Sequence, residues 1–323
     1  MFCDAASGGN LLAYEFVPSS WSATAGTGEW YFLAPTIPKT STTQFIYAIV
    51  GKASATDFSC LASGVTGCQS TLWNNFQLVY HSGYNNGSTH GLSETDSTGH
   101  ATSPTDHGVV DGVNTTFPPV NEYFQLNNTK RFDTGYSLPV ITNFSVETWV
   151  SNGFITSSQW TAGNIASLNG IGAVVVDGGG SCAATECIGT YYLNGSSHYY
   201  SKFTNASIGH ASAWHQYVAT HTGGSSNQLA LYLDGATTAG NTYDSAGTTT
   251  NPNTSSSTFW VGVSGATPLG SNAGVNLDEF RLATFVLTAD EILWDYTSQS
   301  GPSAVYTITV NASVAVRHRS QVF

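Results

Sequence analysis

Acids in a spaced pair would be the clearest sign of chemistry in this chain of 323 residues, which carries only 20 Asp and Glu. Retaining hydrolysis of a glycosidic bond needs two carboxyls about 5–5.5 Å apart, and a β-strand supplies them by placing acids two or four residues apart on one face. No strand candidate has that spacing. Glu147 stands alone in Phe144-Ser145-Val146-Glu147-Thr148-Trp149-Val150, while Asp278 and Glu279 are adjacent and alternate to opposite faces. Glu147 reads either as a solvent-facing residue or as a ligand contact. Asp278 shares parity with Phe280 and Leu282, so its carboxylate is expected to point inward, where it needs a cation or hydrogen bonds. Glu279 and Arg281 then share the other face, as an exposed pair of little energetic worth.

Histidines and hydroxyls offer less. His210, His215 and His221 fall within twelve residues, which invites a zinc site. On a strand, however, His215 and His221 would sit roughly 20 Å apart, too far to share one ion. Gly262-Val263-Ser264-Gly265-Ala266 lacks the closing glycine of a nucleophile elbow. The densest aromatic cluster is Tyr191, Tyr192, Tyr199 and Tyr200 around the Asn194–His198 turn. These four are either a ligand-binding rim or ordinary cross-strand pairs. Trp149, Trp214 and Trp260 read as core.

Five cysteines lie at 3, 60, 68, 182 and 187. The close spacings favour disulfides Cys60–Cys68 and Cys182–Cys187, each closing a short polar loop and worth about 2–3 kcal/mol. Neither pair has the Cys-x-x-Cys form of a zinc site. Eight Asn-x-Ser/Thr sequons occur, starting at Asn86, Asn114, Asn127, Asn143, Asn194, Asn205, Asn253 and Asn311; glycosylation in a secretory route would use such sites, and chance accounts for most in so Asn-, Ser- and Thr-rich a chain.

The elements that must position these residues are strands. Apolar runs of about five to eight residues alternate with Gly, Ser, Thr, Asn and Asp clusters, the punctuation of a sandwich or barrel. The strongest candidates are Gln44–Val50, Phe76–His81, Phe144–Val150, Gly172–Val176, Tyr191–Leu193, Trp214–Thr220, Gln228–Leu233, Thr258–Val263 and Leu277–Ala283. In 144–150 one parity is apolar and the other amphipathic, so the sheet packs through one face. Asp234-Gly235 follows a strand and suits a tight turn with positive φ angles. The one helical signal is at 288–293, with Thr288 as cap and Glu291 at the capping-box position. Lys plus Arg number 8, the formal net charge is −12 and charged residues are 9%. No basic footprint exists for nucleic acid. The longest apolar runs, such as 45–50, have six residues, against roughly 20 for a membrane helix; no membrane insertion is expected.

The pieces from about 73 to 299 carry a resemblance. Leu78-Val79-Tyr80-His81, Asp96-Ser97-Thr98-Gly99, Glu122-Tyr123-Phe124-Gln125-Leu126 and Phe144-Ser145-Val146-Glu147-Thr148-Trp149-Val150 come first. They are followed by Trp214-His215-Gln216-Tyr217-Val218-Ala219, Leu229-Ala230-Leu231-Tyr232-Leu233-Asp234-Gly235, Phe259-Trp260-Val261-Gly262-Val263, Leu277-Asp278-Glu279-Phe280-Arg281 and Leu287-Thr288-Ala289-Asp290-Glu291-Ile292. In this order they resemble a LamG-like jelly roll of the concanavalin A-like lectin/glucanase superfamily. That resemblance implies an all-β fold, an antiparallel two-sheet jelly-roll sandwich. Residues 1–72, with Leu12-Ala13-Tyr14-Glu15-Phe16 and Trp30-Tyr31-Phe32-Leu33-Ala34-Pro35, resemble the later part of an uncharacterised β-sandwich module of bacterial surface proteins. Residues 300–323 read as a linker or the first strand of a further β domain, through the alternating 305–310. No secretory signal opens the chain, so the expectation is a piece of a longer surface protein.

The resemblance also implies function. The glucanase pattern Glu-x-Asp-x-x-Glu is absent, so the expected role is a non-catalytic, extracellular carbohydrate- or protein-binding (adhesion) module, with a glycan or extracellular protein as partner. A divergent glycoside hydrolase and a structural spacer of a surface or phage fibre remain alternatives. Relatives often bind one calcium ion, for which Asp278 is the candidate ligand here; Tyr191, Tyr192, Tyr199, Tyr200 and Glu147 are the candidate ligand-binding residues.

Overall fold

The computed structural model describes residues 2–3, 12–22, 27–32, 47–48, 71–81, 96–101, 105–113, 122–126, 130, 132–139, 141–151, 163–168, 171–177, 187–194, 198–204, 213–223, 228–238, 240–244, 258–261, 263–264, 267–268 and 275–301. Four strands precede the main body: β1 (Phe2–Cys3), β2 (Tyr14–Ser22), β3 (Thr27–Phe32) and β4 (Tyr47–Ala48). Then come β5 (Phe76–Tyr80), β6 (Thr105–Asp106), β7 (Val110–Val113), β8 (Glu122–Leu126), β9 (Phe132–Ser137), β10 (Phe144–Ser151), β11 (Gly163–Leu168) and β12 (Ile171–Asp177). The rest are β13 (Cys187–Asn194), β14 (His198–Thr204), β15 (Trp214–Thr222), β16 (Gln228–Leu233), β17 (Ala236–Thr237), β18 (Gly240–Asp244), β19 (Thr258–Val261), β20 (Val263–Ser264), β21 (Thr267–Pro268), β22 (Val275–Ala283) and the helix α1 (Ala289–Ser300).

Two eight-stranded antiparallel sheets carry the fold. The first runs β17-β16-β15-β10-β22-β8-β7, with β5 also paired to β22, and the second runs β18-β14-β13-β12-β11-β19-β9-β6. This is the all-β sandwich expected. Its core is filled by one parity of the first sheet: Leu78 and Tyr80, Phe124 and Leu126, Phe144, Val146 and Val150, Tyr217 and Ala219, Leu229 and Leu231, Leu277, Phe280 and Leu282, with Val261 of the second sheet. Burying each large apolar side chain contributes about 1.5–3 kcal/mol. The turn at Asp234 (φ 53°) and Gly235 (φ 75°) joins β16 to β17 as the Asp-Gly pair requires.

The opposite, outer face of the first sheet is also covered, and this was not legible in the alternation. Helix α1 lies over part of it: Ile292 is buried against Val218 and Tyr232, and Tyr296 stacks on Trp149 with ring centroids 5.7 Å apart. Trp149 and Trp214 are buried, as expected, but in this outer layer with Tyr123 and Tyr296 rather than between the sheets. α1 has the full capping box at Thr288 and Glu291 and extends through Ser300, beyond the six-residue signal. The antiparallel pair β2–β3 also reaches this face through Glu15 and Tyr31, as the contacts below establish. Cys60, Cys68, Cys182, His210 and the segment 305–310 lie outside the described residues.

Candidate functional site

A bulge in β22 organises the outer face. β10 and β22 pair Glu147 with Arg281 and Trp149 with Asp278, so β22 has one more residue than β10 between these pairs. The extra residue makes Glu279 left-handed, at φ 52°, a conformation that costs a non-glycine residue energy. Simple alternation therefore fails here. Asp278 lies level with Trp149 rather than sharing parity with Phe280, its Oδ1 accepts the Glu279 backbone N–H at 2.8 Å, and Glu279 and Arg281 form a buried pair instead of an exposed one.

Arg281 is the hub. Its Nη2 donates to Glu279 Oε2 at 2.9 Å, its Nη1 donates to Asp295 Oδ1 of α1 at 3.0 Å, and Glu147 Oε2 lies 3.6 Å from Nη1. Gln216 Nε2 donates both to Glu147 Oε1 at 2.7 Å and to Asp295 Oδ2 at 2.9 Å. Glu147 is thus 4% exposed rather than solvent-facing. Burial first, then the neighbouring Asp295, pushes the Glu147 carboxyl well above the usual carboxylate range, while Arg281 pulls the other way. Burial works to raise Asp295 too, but Arg281 and hydrogen bonds from Glu147, Arg281 and Gln299 outweigh it and hold Asp295 low. The two neighbouring acids are thus pushed apart, Glu147 upward and Asp295 downward.

His81 continues the cluster toward the N-terminal strands. Its Nδ1 is 2.7 and 2.8 Å from the two oxygens of Glu279, and its Nε2 is 3.7 Å from Glu15 Oε2. Glu15 also accepts Trp73 Nε1–H at 2.6 Å and the Ser97 hydroxyl. Tyr31 stacks on the His81 ring at 4.6 Å, donates its hydroxyl to Glu279 Oε2 at 2.6 Å and lies 5.1 Å under the Arg281 guanidinium. Burial works to lower the His81 pKa, but Glu279 and Glu15 more than reverse it and hold the ring well above the ordinary histidine value. Burial likewise works to raise Glu279, and His81, then Arg281 and Tyr31, bring it below the usual range.

The other candidates are spread out. His215 pairs with Asp234 at 2.7 Å, and buried His221 meets the Thr142 carbonyl and stacks on Phe144, so the two histidines do not converge. Among the described residues no group of three His, Cys, Asp or Glu side chains could hold a metal. Tyr192 pairs with Tyr200 and Leu193 with Tyr199 across β13–β14, while Tyr191 pairs with Ser201. Glu15, Tyr31, Trp73, His81, Gln216 and Asp295 went unselected in the sequence. One signal for them existed: Val79, on the parity of His81, and Trp149, on the parity of Glu147, put large apolar groups on a face otherwise read as exposed.

Among solved structures, the botulinum neurotoxin serotype D binding domain is similar at 13% identity and a TM-score of 0.50, with 70% of this chain and 52% of that one covered. The same serotype's ligand binding domain in complex with N-acetylneuraminic acid gives 12% identity, a TM-score of 0.49 and 72% and 52% coverage. The binding domain of Paraclostridial Mosquitocidal Protein 1 gives 11%, 0.48, and 70% and 52%. The chain spans about half the length of these solved domains, and the likeness is one of fold. No curated protein sequence matches the chain. Residues 120–293, more than half of the chain, match the family described as the concanavalin A-like lectin/glucanases superfamily. With that match and the two-sheet antiparallel sandwich in agreement, the chain belongs to the concanavalin A-like lectin/glucanase superfamily.

Proposed function

We propose that this chain is a non-catalytic binding module that works outside the cell or at its surface, with a glycan or an extracellular protein as ligand. The observation that carries the reading is the engagement of the acids. Glu147, Glu279 and Asp295 are tied to Arg281, and Glu147 and Glu279 are 4% and 2% exposed under α1 and the β2–β3 pair. A glycosidase needs an acid and a base that reach a sugar, whereas a binding module needs aromatic surface and a few polar groups. The candidate aromatic surface for this reading is Tyr191, Tyr192, Tyr199 and Tyr200 on the β13–β14 pair. One calcium ion, with Asp278 as its candidate ligand, is part of the proposal.

The test is a screen of the full chain against a broad glycan and polysaccharide panel, in calcium and again in chelator, with product analysis of whatever binds. Binding without cleavage, weakened by Tyr192→Ala or Tyr199→Ala, is expected. Cleavage would overturn the reading. One observation favours the second reading, a divergent glycoside hydrolase: on one sheet face the Glu147 carboxyl is pushed up and the Glu279 carboxyl down, the kind of split that separates an acid from a nucleophile. It requires the cover to lift, so cleavage would appear only with that face opened.

A further inference from the structure

The least expected groups in the fold are the charges under the β2–β3 pair. His81 is 1% exposed, directly after β5, and among the described residues the charged and titratable groups packed on it come from three strands. Glu15 faces it from β2, Tyr31 from β3, and Glu279 with Arg281 from β22. Neutral Trp73 closes the side, its ring 5.7 Å from the imidazole. Behind Arg281 stand Asp295 and Glu147. With His81 charged, its ring and Arg281 offset the ionised acids. Without that charge, Glu279 keeps Arg281 but loses the imidazolium 2.7 Å from it, and Glu15 loses the one 3.7 Å from it. Among the contacts that attach β2 and β3 to this face, those of Glu15 with Trp73 and Ser97 and of Tyr31 with Glu279 end on the two acids that flank His81, and Tyr31 also stacks on the His81 ring itself.

We propose that His81 is a proton-operated latch: its positive charge holds the β2–β3 pair on the outer face of the first sheet, and loss of that charge releases the pair while the sandwich stays folded. The latch does not depend on the binding reading above. Its sign follows from linkage. A histidine whose folded-state pKa is raised contributes stability fully present below its unfolded value of about 6.5 and lost as pH rises through the folded value. Release is therefore alkaline. At the acid end a second loss comes from Glu279, whose lowered pKa makes its contribution disappear as pH falls below about 4.5. Between these limits the latch is closed. The left-handed backbone at Glu279 adds to the design, since a strained residue is kept in place by the partners it holds.

The test uses the full chain in millisecond hydrogen exchange from pH 6 to 9.5, corrected for intrinsic rates, with histidine-selective NMR on the same sample. The expected result is a tenfold or greater loss of protection in β2 and β3 as pH rises, with β10 and β15 changing less than threefold, and a His81 ring still protonated at pH 7. His81→Gln, which keeps a hydrogen-bond donor but no charge, should show the open state of β2 and β3 already at pH 7 and no further pH dependence there. A His81 ring that titrates at or below 6.5, loss of protection in all strands together, or wild-type protection in His81→Gln each overturns the latch. If His81→Gln fails to fold, the wild-type pH series and the NMR titration decide.

Discussion

Replacing Arg281 by Met is the sharpest perturbation of the outer-face cluster. Methionine retains most of the apolar stem under Tyr31 and Trp73, which lie 5.1 and 5.8 Å from the guanidinium carbon, and removes the cation that meets Glu279 at 2.9 Å, Asp295 at 3.0 Å and Glu147 at 3.6 Å. Removing one partner of a buried ion pair costs about 3–5 kcal/mol because the other charge is left uncompensated. The direct partners are Glu279 and Asp295, so one pair's worth is the lower bound. At about 2–4 °C of Tm per kcal/mol for chains of 150–250 residues, the drop should be on the order of 6–20 °C. In the wild type Glu279 and Asp295 contribute stability above their unfolded pKa values, lost as pH falls through the depressed folded ones. In R281M both acids lose that support and their burial raises them, so the variant's deficit is largest near pH 7–8 and shrinks toward pH 4. Urea denaturation of both proteins from pH 4 to 8 reads this directly. A deficit under about 1 kcal/mol at pH 7, or one that is constant across the range, would refute the account of Arg281 as the shared cation.

Glu147→Gln should gain stability relative to the wild type as pH rises above the ordinary carboxylate range. Stability of the wild type declines as pH rises between the ordinary and the raised value of this carboxyl, and the amide removes that decline; parallel pH–stability curves would contradict this. Ile292→Ala, at 1% exposure against Val218 and Tyr232, should cost about 2–5 kcal/mol and loosen α1, as seen by calorimetry and by faster exchange of helix amides. Thr288→Ala removes the hydroxyl that accepts the Glu291 N–H at 3.2 Å and should cost about 1 kcal/mol, with Thr288→Asp restoring most of it in the same melting experiment.

Much of the architecture was written locally. Strand Phe144–Ser151, the turn at Asp234-Gly235 and the Thr288/Glu291 cap emerge from side-chain period, a residue pair that accepts positive φ, and a three-residue spacing. These signals depend on neighbours along the chain, and so did the choice of which face of β10 fills the core. Tertiary structure alone decided what covers the other face. Tyr31 meets Glu279 across 248 residues of sequence and Trp73 meets Glu15 across 58, and no local period encodes such contacts. It also decided where alternation fails: one extra residue in β22 moves Asp278 level with Trp149 and turns Glu279 onto Arg281 and His81. Alternation tells which residues share a face only while every residue is paired, and a single bulge, stabilised by partners far away in the chain, reverses it.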